Sequence, residues 1–86
     1  MNLEEVNKIR KQLLEFHLKD EKGNEIKRIA IPNPDDKKYE GCALKIKKTK
    51  LDKDSLIFLV GICKEHKLQM KNLEKGSLAI YTPKKS

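Results

Sequence analysis

The longest apolar segment of this chain, Leu56 to Cys63, restricts the folds that are open to it. The segment is short enough for a buried strand, and Gly61 inside it lowers helix stability by roughly 1 kcal/mol relative to alanine. Asp52 and Asp54, however, stand where a helix N-cap favours short carboxylates. We therefore predict a helix from about Lys53 to His66. Because apolar residues surround its axis, this helix must be covered on more than one side, by a sheet and by another helix or a second subunit.

The amino-terminal segment predicts a first helix. Leu3, Val6 and Ile9 recur at three-residue spacing, and the residues next to Leu3 are the acids that a helix N-terminus favours. The helix is predicted from Asn2 to Gln12.

The residues that follow admit two interpretations. Apolar and polar residues alternate from about Leu13 to Lys19, which favours a strand, and Glu25 to Ile31 would be the return arm of a hairpin across the turn-forming cluster 20–24. The alternative interpretation continues the first helix to Leu18.

The remainder of the chain predicts a loop and three more strands. Prolines favour a loop from Pro32 to Gly41, and the alternation in Ala43 to Thr49 is typical of a strand with one wet face. Leu68 to Leu73 and Leu78 to Thr82 predict a terminal hairpin, with Gly76 in its turn. Residues 83–86 are expected to form a flexible basic tail.

These elements predict one domain over residues 1–86, since two halves of this length could not each bury a core. The predicted fold class is α+β: a two-layer sandwich with two helices on one face of a four- to five-stranded, mainly antiparallel sheet. The order along the chain is helix, hairpin, strand, helix, hairpin. One face of the sheet would be left exposed.

Positive charge is concentrated in one central stretch. Residues 37–53 contain seven lysines and two acids, a net charge of +5 out of +7 for the whole chain. Such a cluster can neutralise phosphates. We expect a small basic nucleic-acid-binding protein that favours RNA or single strands, because arginine is scarce and an exposed tyrosine can stack on an unpaired base. The predicted binding residues are Lys37, Lys38, Lys45, Lys47, Lys48, Lys50 and Tyr81, with Tyr39 as a second aromatic candidate.

The lysines are also compatible with two roles that involve no nucleic acid. Alternating lysines can be the solvated side of an amphipathic strand or a guard against aggregation at a sheet edge. The protein can also be an interaction module or accessory subunit. In that case a homodimer or another partner would use the region Leu56 to Cys63 or an open strand edge.

The sequence predicts neither catalysis nor a bound metal or cofactor. His17, Cys42, Cys63 and His66 have the chemistry of a zinc set but lack paired-ligand spacing, so we treat the thiols as free. Cys63 lies in an apolar run where its pKa should rise, and no base can be assigned to Cys42. Phosphate-loop, dinucleotide and nucleophile-elbow motifs are absent from the sequence.

No apolar run approaches the roughly 18 residues that cross a bilayer, and the amino-terminal residues do not resemble a secretion signal. The sequence therefore predicts a cytoplasmic protein without a membrane role.

Overall fold

The computed structural model describes residues 1–32, 39, 41–47, 50–73 and 76–83. The elements follow in the order α1 (Leu3–Phe16), β1 (Ile29–Ala30), β2 (Leu44–Ile46), α2 (Lys53–His66), β3 (Gln69–Asn72) and β4 (Leu78–Tyr81). In this described part, the strands form one antiparallel sheet of order β1-β2-β4-β3, open at both edges. The predicted α+β fold is confirmed.

Helix α2 has the predicted bounds, and its first turn explains why it begins at Lys53. The Asp52 carboxylate accepts the backbone N–H of Ser55 at 2.8 Å, which satisfies one of the unpaired donors of the helix N-terminus. Ser55 is buried, and its hydroxyl accepts the backbone N–H of Lys19 at 2.9 Å. The start of α2 is therefore attached to the segment that leaves α1.

Helix α1 is longer than predicted, and the favoured strand from Leu13 to Lys19 is wrong. The helix runs to Phe16 and ends at His17, whose left-handed backbone (φ 61°) closes the last turn. The alternative of a helix continued to Leu18 is closer to the structure. Leu13 continues the buried stripe of Val6 and Ile9, so the helical period outweighed the short alternation that follows it.

Without that strand, the first predicted hairpin is reduced to a single bridge between Lys19 and Glu25. Of the predicted arm Glu25 to Ile31, β1 retains Ile29–Ala30, which pairs with β2 instead. Gly23, at φ 84°, takes the left-handed conformation that turns the chain between the two bridged segments.

The later strands agree with the prediction but are shorter. From the predicted strand Ala43 to Thr49, β2 keeps Leu44–Ile46, while residues 48–49 lie outside the described residues. The terminal hairpin of β3 and β4 is confirmed, with Gly76 at φ 76°. Most of the predicted loop (33–38 and 40), two turn residues (74–75) and tail residues 84–86 also lie outside the described part.

Both helices pack on one face of the sheet around a single aliphatic core. Each helix and each central strand supplies fully buried side chains to it, namely Val6, Ile9 and Leu13 from α1, Leu59 from α2, and Leu44, Ile46 and Ile80 from the sheet. At roughly 1.5–3 kcal/mol for each large aliphatic side chain removed from water, this cluster is the main source of stability. The functional question therefore concerns the opposite face of the sheet.

Candidate nucleic-acid interface

Strand pairing brings lysines from two strands into one row across the sheet. Lys45 of β2 is in register with Ala30 of β1 and Ala79 of β4, and Ala79 is in register with Lys71 of β3. Alternation along each strand points these residues away from the helices, since their neighbours Leu44, Ile46 and Ile80 are in the core. We call this surface the open face. The backbones of Lys45 and Lys71 are two strand spacings apart, about 10 Å.

A second pair of cations continues the open face toward the β1 end. The backbone N–H of Lys47 donates to the carbonyl of Arg28 at 3.0 Å, which extends the β1–β2 register by one residue. Both side chains are exposed. Lys45 itself is half-buried, which fits an aliphatic stem that lies along the sheet while the ammonium group reaches water.

The aromatic candidates meet at the other end of the open face. The rings of Tyr39 and Tyr81 have centroids 4.9 Å apart and are inclined by 39°. Tyr81 is in register with Gln69, and its hydroxyl donates to the Gln69 side-chain oxygen at 3.4 Å. Both tyrosines are half-buried, so this end of the face is less open than the sequence predicted.

A shallow depression of about 560 Å³ lies beside β1 on the same side of the sheet. Acids as well as bases line it: Lys27, Arg28, Lys45, Lys47, Asp20 and Glu25.

Both acids of the depression lie outside the strands and interact within the protein. Asp20 accepts the backbone N–H groups of Lys22 and Asn24, each at 2.9 Å. Glu25 lies 2.6 Å from the His17 ring, and this hydrogen bond, with the nearby charge of Lys27, lowers the Glu25 pKa. The lowered pKa keeps Glu25 ionised at neutral pH, so a negative charge remains in the depression.

The other predicted binding residues are placed less favourably or lie beyond the described residues. Lys50 is exposed, but its carbonyl accepts the N–H of Glu21, which places it beside the 20–23 turn and not on the row of β2. Lys37, Lys38 and Lys48 lie outside the described residues.

Sequence reasoning missed Lys71 and Arg28 as members of the open face. Lys71 lay in a predicted strand, and its alternation with Met70 placed it on a polar face. The register that aligns it with Lys45 through Ala79 could not be predicted from that alternation. Arg28 was predicted to lie in a hairpin with residues 13–19, whereas in the structure it lies beside Lys47 of the segment that follows β2.

Among the described residues, no group of three or more His, Cys, Asp and Glu side chains could hold a metal ion. Cys42 and Cys63 are buried free thiols, and burial raises the pKa of Cys63 as predicted. Such a thiol is a poor nucleophile.

Within the described chain, neither helix has the length and apolar character needed to span a membrane. Comparisons with protein-family models, curated proteins and solved structures found no match to this chain.

Proposed function

We propose that this protein binds RNA or single-stranded nucleic acid through the open face. The observation that carries the proposal is the row of Lys45, Ala79 and Lys71, in which two cations flank a small buried residue. The described strands contribute six residues to this face and none is acidic: Ala30, Lys45, Gln69, Lys71, Ala79 and Tyr81. A phosphate chain that crosses the row would meet the ammonium groups of the strands, while the carboxylates of Asp20 and Glu25 line the depression beside β1.

The composition of the face favours single strands over a duplex reader. A protein that reads the sequence of a duplex places a helix or strand in a groove. Its side chains, commonly arginine, then form paired hydrogen bonds with the base edges. A shallow sheet with lysines at its centre and tyrosines at one end suits a flexible chain, whose phosphates can follow the cations while a base stacks on Tyr81. Of the chain's two arginines, Arg28 alone belongs to this face, whereas the Arg10 guanidinium donates to the carbonyl of Ile29 at 2.8 Å.

Salt titration tests the electrostatic part of the proposal. If Arg28, Lys45, Lys47 and Lys71 each neutralise one phosphate, the slope of log affinity against log salt is roughly −3 for a single strand. Fluorescence anisotropy with a labelled oligoribonucleotide measures this slope. Absence of binding at low ionic strength would refute the function.

A pair of matched charge reversals locates the binding surface. Lys45→Glu with Lys71→Glu should weaken binding by more than about tenfold at low salt and flatten the salt slope. The control, Lys8→Glu with Lys11→Glu, changes the net charge equally on the exposed side of α1. Equal losses from the two pairs would mean that net charge alone drives association.

The second candidate is a protein-interaction module, favoured by the apolar surface that α2 exposes. Leu56 and Ile57 are 46% and 60% exposed, although the sequence led us to expect that this helix is covered on more than one side. For this candidate, the Lys45 and Lys71 reversals would leave the interaction unchanged.

A further inference from the structure

The solvent-facing side of α2 carries an arrangement that the single chain does not use. Successive helix residues are about 100° apart, so six exposed residues fall within about one third of the circumference. We call them the α2 face: Lys53, Asp54, Ile57, Gly61, Lys64 and Glu65. They lie opposite the buried residues Leu59 and Ile62, and therefore point away from the core and the sheet.

Gly61 forms a notch in the α2 face that nothing in the described chain fills. A Cβ atom built on Gly61 would meet no atom within 4 Å, and the residue does not have a positive φ. Neither crowding nor backbone conformation requires glycine here, although glycine destabilises an exposed helix interior. One turn before it, Ile57 projects into solvent with 60% of its surface exposed. A protruding side chain and a notch thus lie side by side.

The charges of the α2 face are balanced. Lys53 and Asp54 lie at one end and Lys64 and Glu65 at the other, so the face is neutral on a chain of net charge +7. Two copies of a chain with this net charge repel one another at long range. The α2 face adds no net charge to that repulsion.

We propose that the α2 face binds a second copy of this chain, with the two α2 helices antiparallel about a two-fold axis level with Leu59. Positions 57 and 61 are equally far from 59, so an antiparallel pair brings each Ile57 to the level of the second copy's Gly61 notch. Positions 54 and 64 are also equally far from 59, which sets each Asp54 carboxylate at the level of a Lys64 ammonium. The sequence of the face is therefore self-complementary, as a two-fold contact requires.

One helix pair buries less surface than the roughly 800 Å² per partner of a standard interface, so the dimer should dissociate in the micromolar range. This inference deepens the second candidate function and is independent of nucleic-acid binding. The two open faces remain on the outer sides of the dimer, because the helices separate the α2 face from the sheet.

Sedimentation equilibrium from low to high micromolar concentration tests the proposal. The average mass should rise from 10.0 kDa toward twice that value. Gly61→Gln, which fills the notch with a good helix former, should raise the dissociation constant at least about tenfold while circular dichroism stays unchanged. The matched control is Leu3→Gln, which removes an apolar residue that is 63% exposed on α1 and should leave the dimer intact.

Charge exchange tests the antiparallel alignment. Asp54→Lys alone should weaken the dimer, and adding Lys64→Asp to it should restore part of the loss. A chain that is monomeric at every concentration, or a Gly61→Gln variant that dimerises like wild type, would overturn the proposal. Because the Lys45 and Lys71 reversals lie on the open face and lower the net charge, they should not weaken the dimer, so failure of one proposal is distinguishable from failure of the other.

Discussion

At the scale of single residues, the buried Ser55 hydroxyl attaches the start of α2 to the segment that follows α1. It accepts the N–H of Lys19 at 2.9 Å, while its own backbone N–H donates to Asp52. Ser55→Ala would leave the Lys19 N–H without its acceptor, so we expect the free energy of unfolding to fall by roughly 1–3 kcal/mol. Urea denaturation measures the loss. Asn7→Ala, at an exposed position of α1, is the control and should change stability by less than about 0.5 kcal/mol.

Asp52 links the same cap to pH. Hydrogen bonds from the Ser55 hydroxyl and backbone N–H hold the Asp52 pKa below its ordinary value of 3.8. A carboxylate whose pKa is lower in the folded state contributes stability that is fully present above the unfolded pKa and is lost as the pH falls through the folded pKa. The cap therefore weakens in acid, below about pH 3.8.

Asp52→Asn isolates this effect, because the amide oxygen can still accept the Ser55 N–H but does not titrate in this range. We expect the difference in unfolding free energy between neutral and acidic pH to be smaller in the variant than in the wild type. Glu25 keeps its own part of the acid dependence, since its pKa is also lowered, mainly by the hydrogen bond to His17. An unchanged difference would show that the Asp52 cap does not contribute to acid unfolding.

At the scale of elements, both helices end on a non-glycine residue in the left-handed conformation. Lys67 closes α2 with φ 56°, and its backbone N–H donates to the carbonyl of Cys63. Glycine takes this conformation without the steric penalty that a Cβ brings, and it is the usual residue at such a helix end. We expect Lys67→Gly to raise the unfolding free energy by about 0.5–1 kcal/mol. Thermal denaturation of both variants measures the change. The control is Lys64→Gly, inside the helix, which should lower the unfolding free energy.

The elements also show how far the sequence could predict the structure. Helix α2 was predictable to the residue because an aspartate suited to an N-cap directly precedes it. Helix α1 was not, because Leu14, Phe16 and Leu18 fit a short alternation as well as a helical turn. The sequence pattern also does not reveal that Phe16 stacks on Phe58 of α2, with ring centroids 4.0 Å apart, because this contact joins residues far apart in the chain.

The sequence could predict which side of β2 carries the lysines of the candidate site, but not which residues stand beside them on neighbouring strands. Alternation alone assigns Lys45 and Lys47 to the side of β2 that faces away from Leu44 and Ile46. Whether another cation stands beside Lys45 depends on strand order, which puts β4 between β2 and β3. Sequence separation carries little information about this order, so Lys71 became visible only through the pairing.

At the scale of the whole molecule, the two layers separate the two proposed interactions. The sheet presents cations on its open face, whereas the α2 face on the far side of the core has no net charge and exposes Ile57. A dimer formed through α2 would carry two open faces. A nucleic-acid strand long enough to reach both faces would bind the dimer more tightly than a single face, because the second contact is intramolecular and has a high effective concentration. The Gly61→Gln variant should lose this gain on long oligonucleotides and retain the affinity of one face for short ones.

The same separation predicts opposite responses to salt. Each copy carries a net charge of +7, and added salt screens the repulsion between copies over a Debye length of about 10 Å at 0.1 M, so the dimer should tighten. The Asp54–Lys64 contacts weaken as well, but exposed ion pairs contribute roughly 0–1 kcal/mol and do not reverse the trend. Binding to a short oligonucleotide should weaken over the same series as counterions compete for the phosphates. Sedimentation equilibrium and anisotropy titrations in matched buffers measure both, with sucrose in place of salt as the control. A dimer that weakens in parallel with nucleic-acid binding would mean that both associations depend on the same charges.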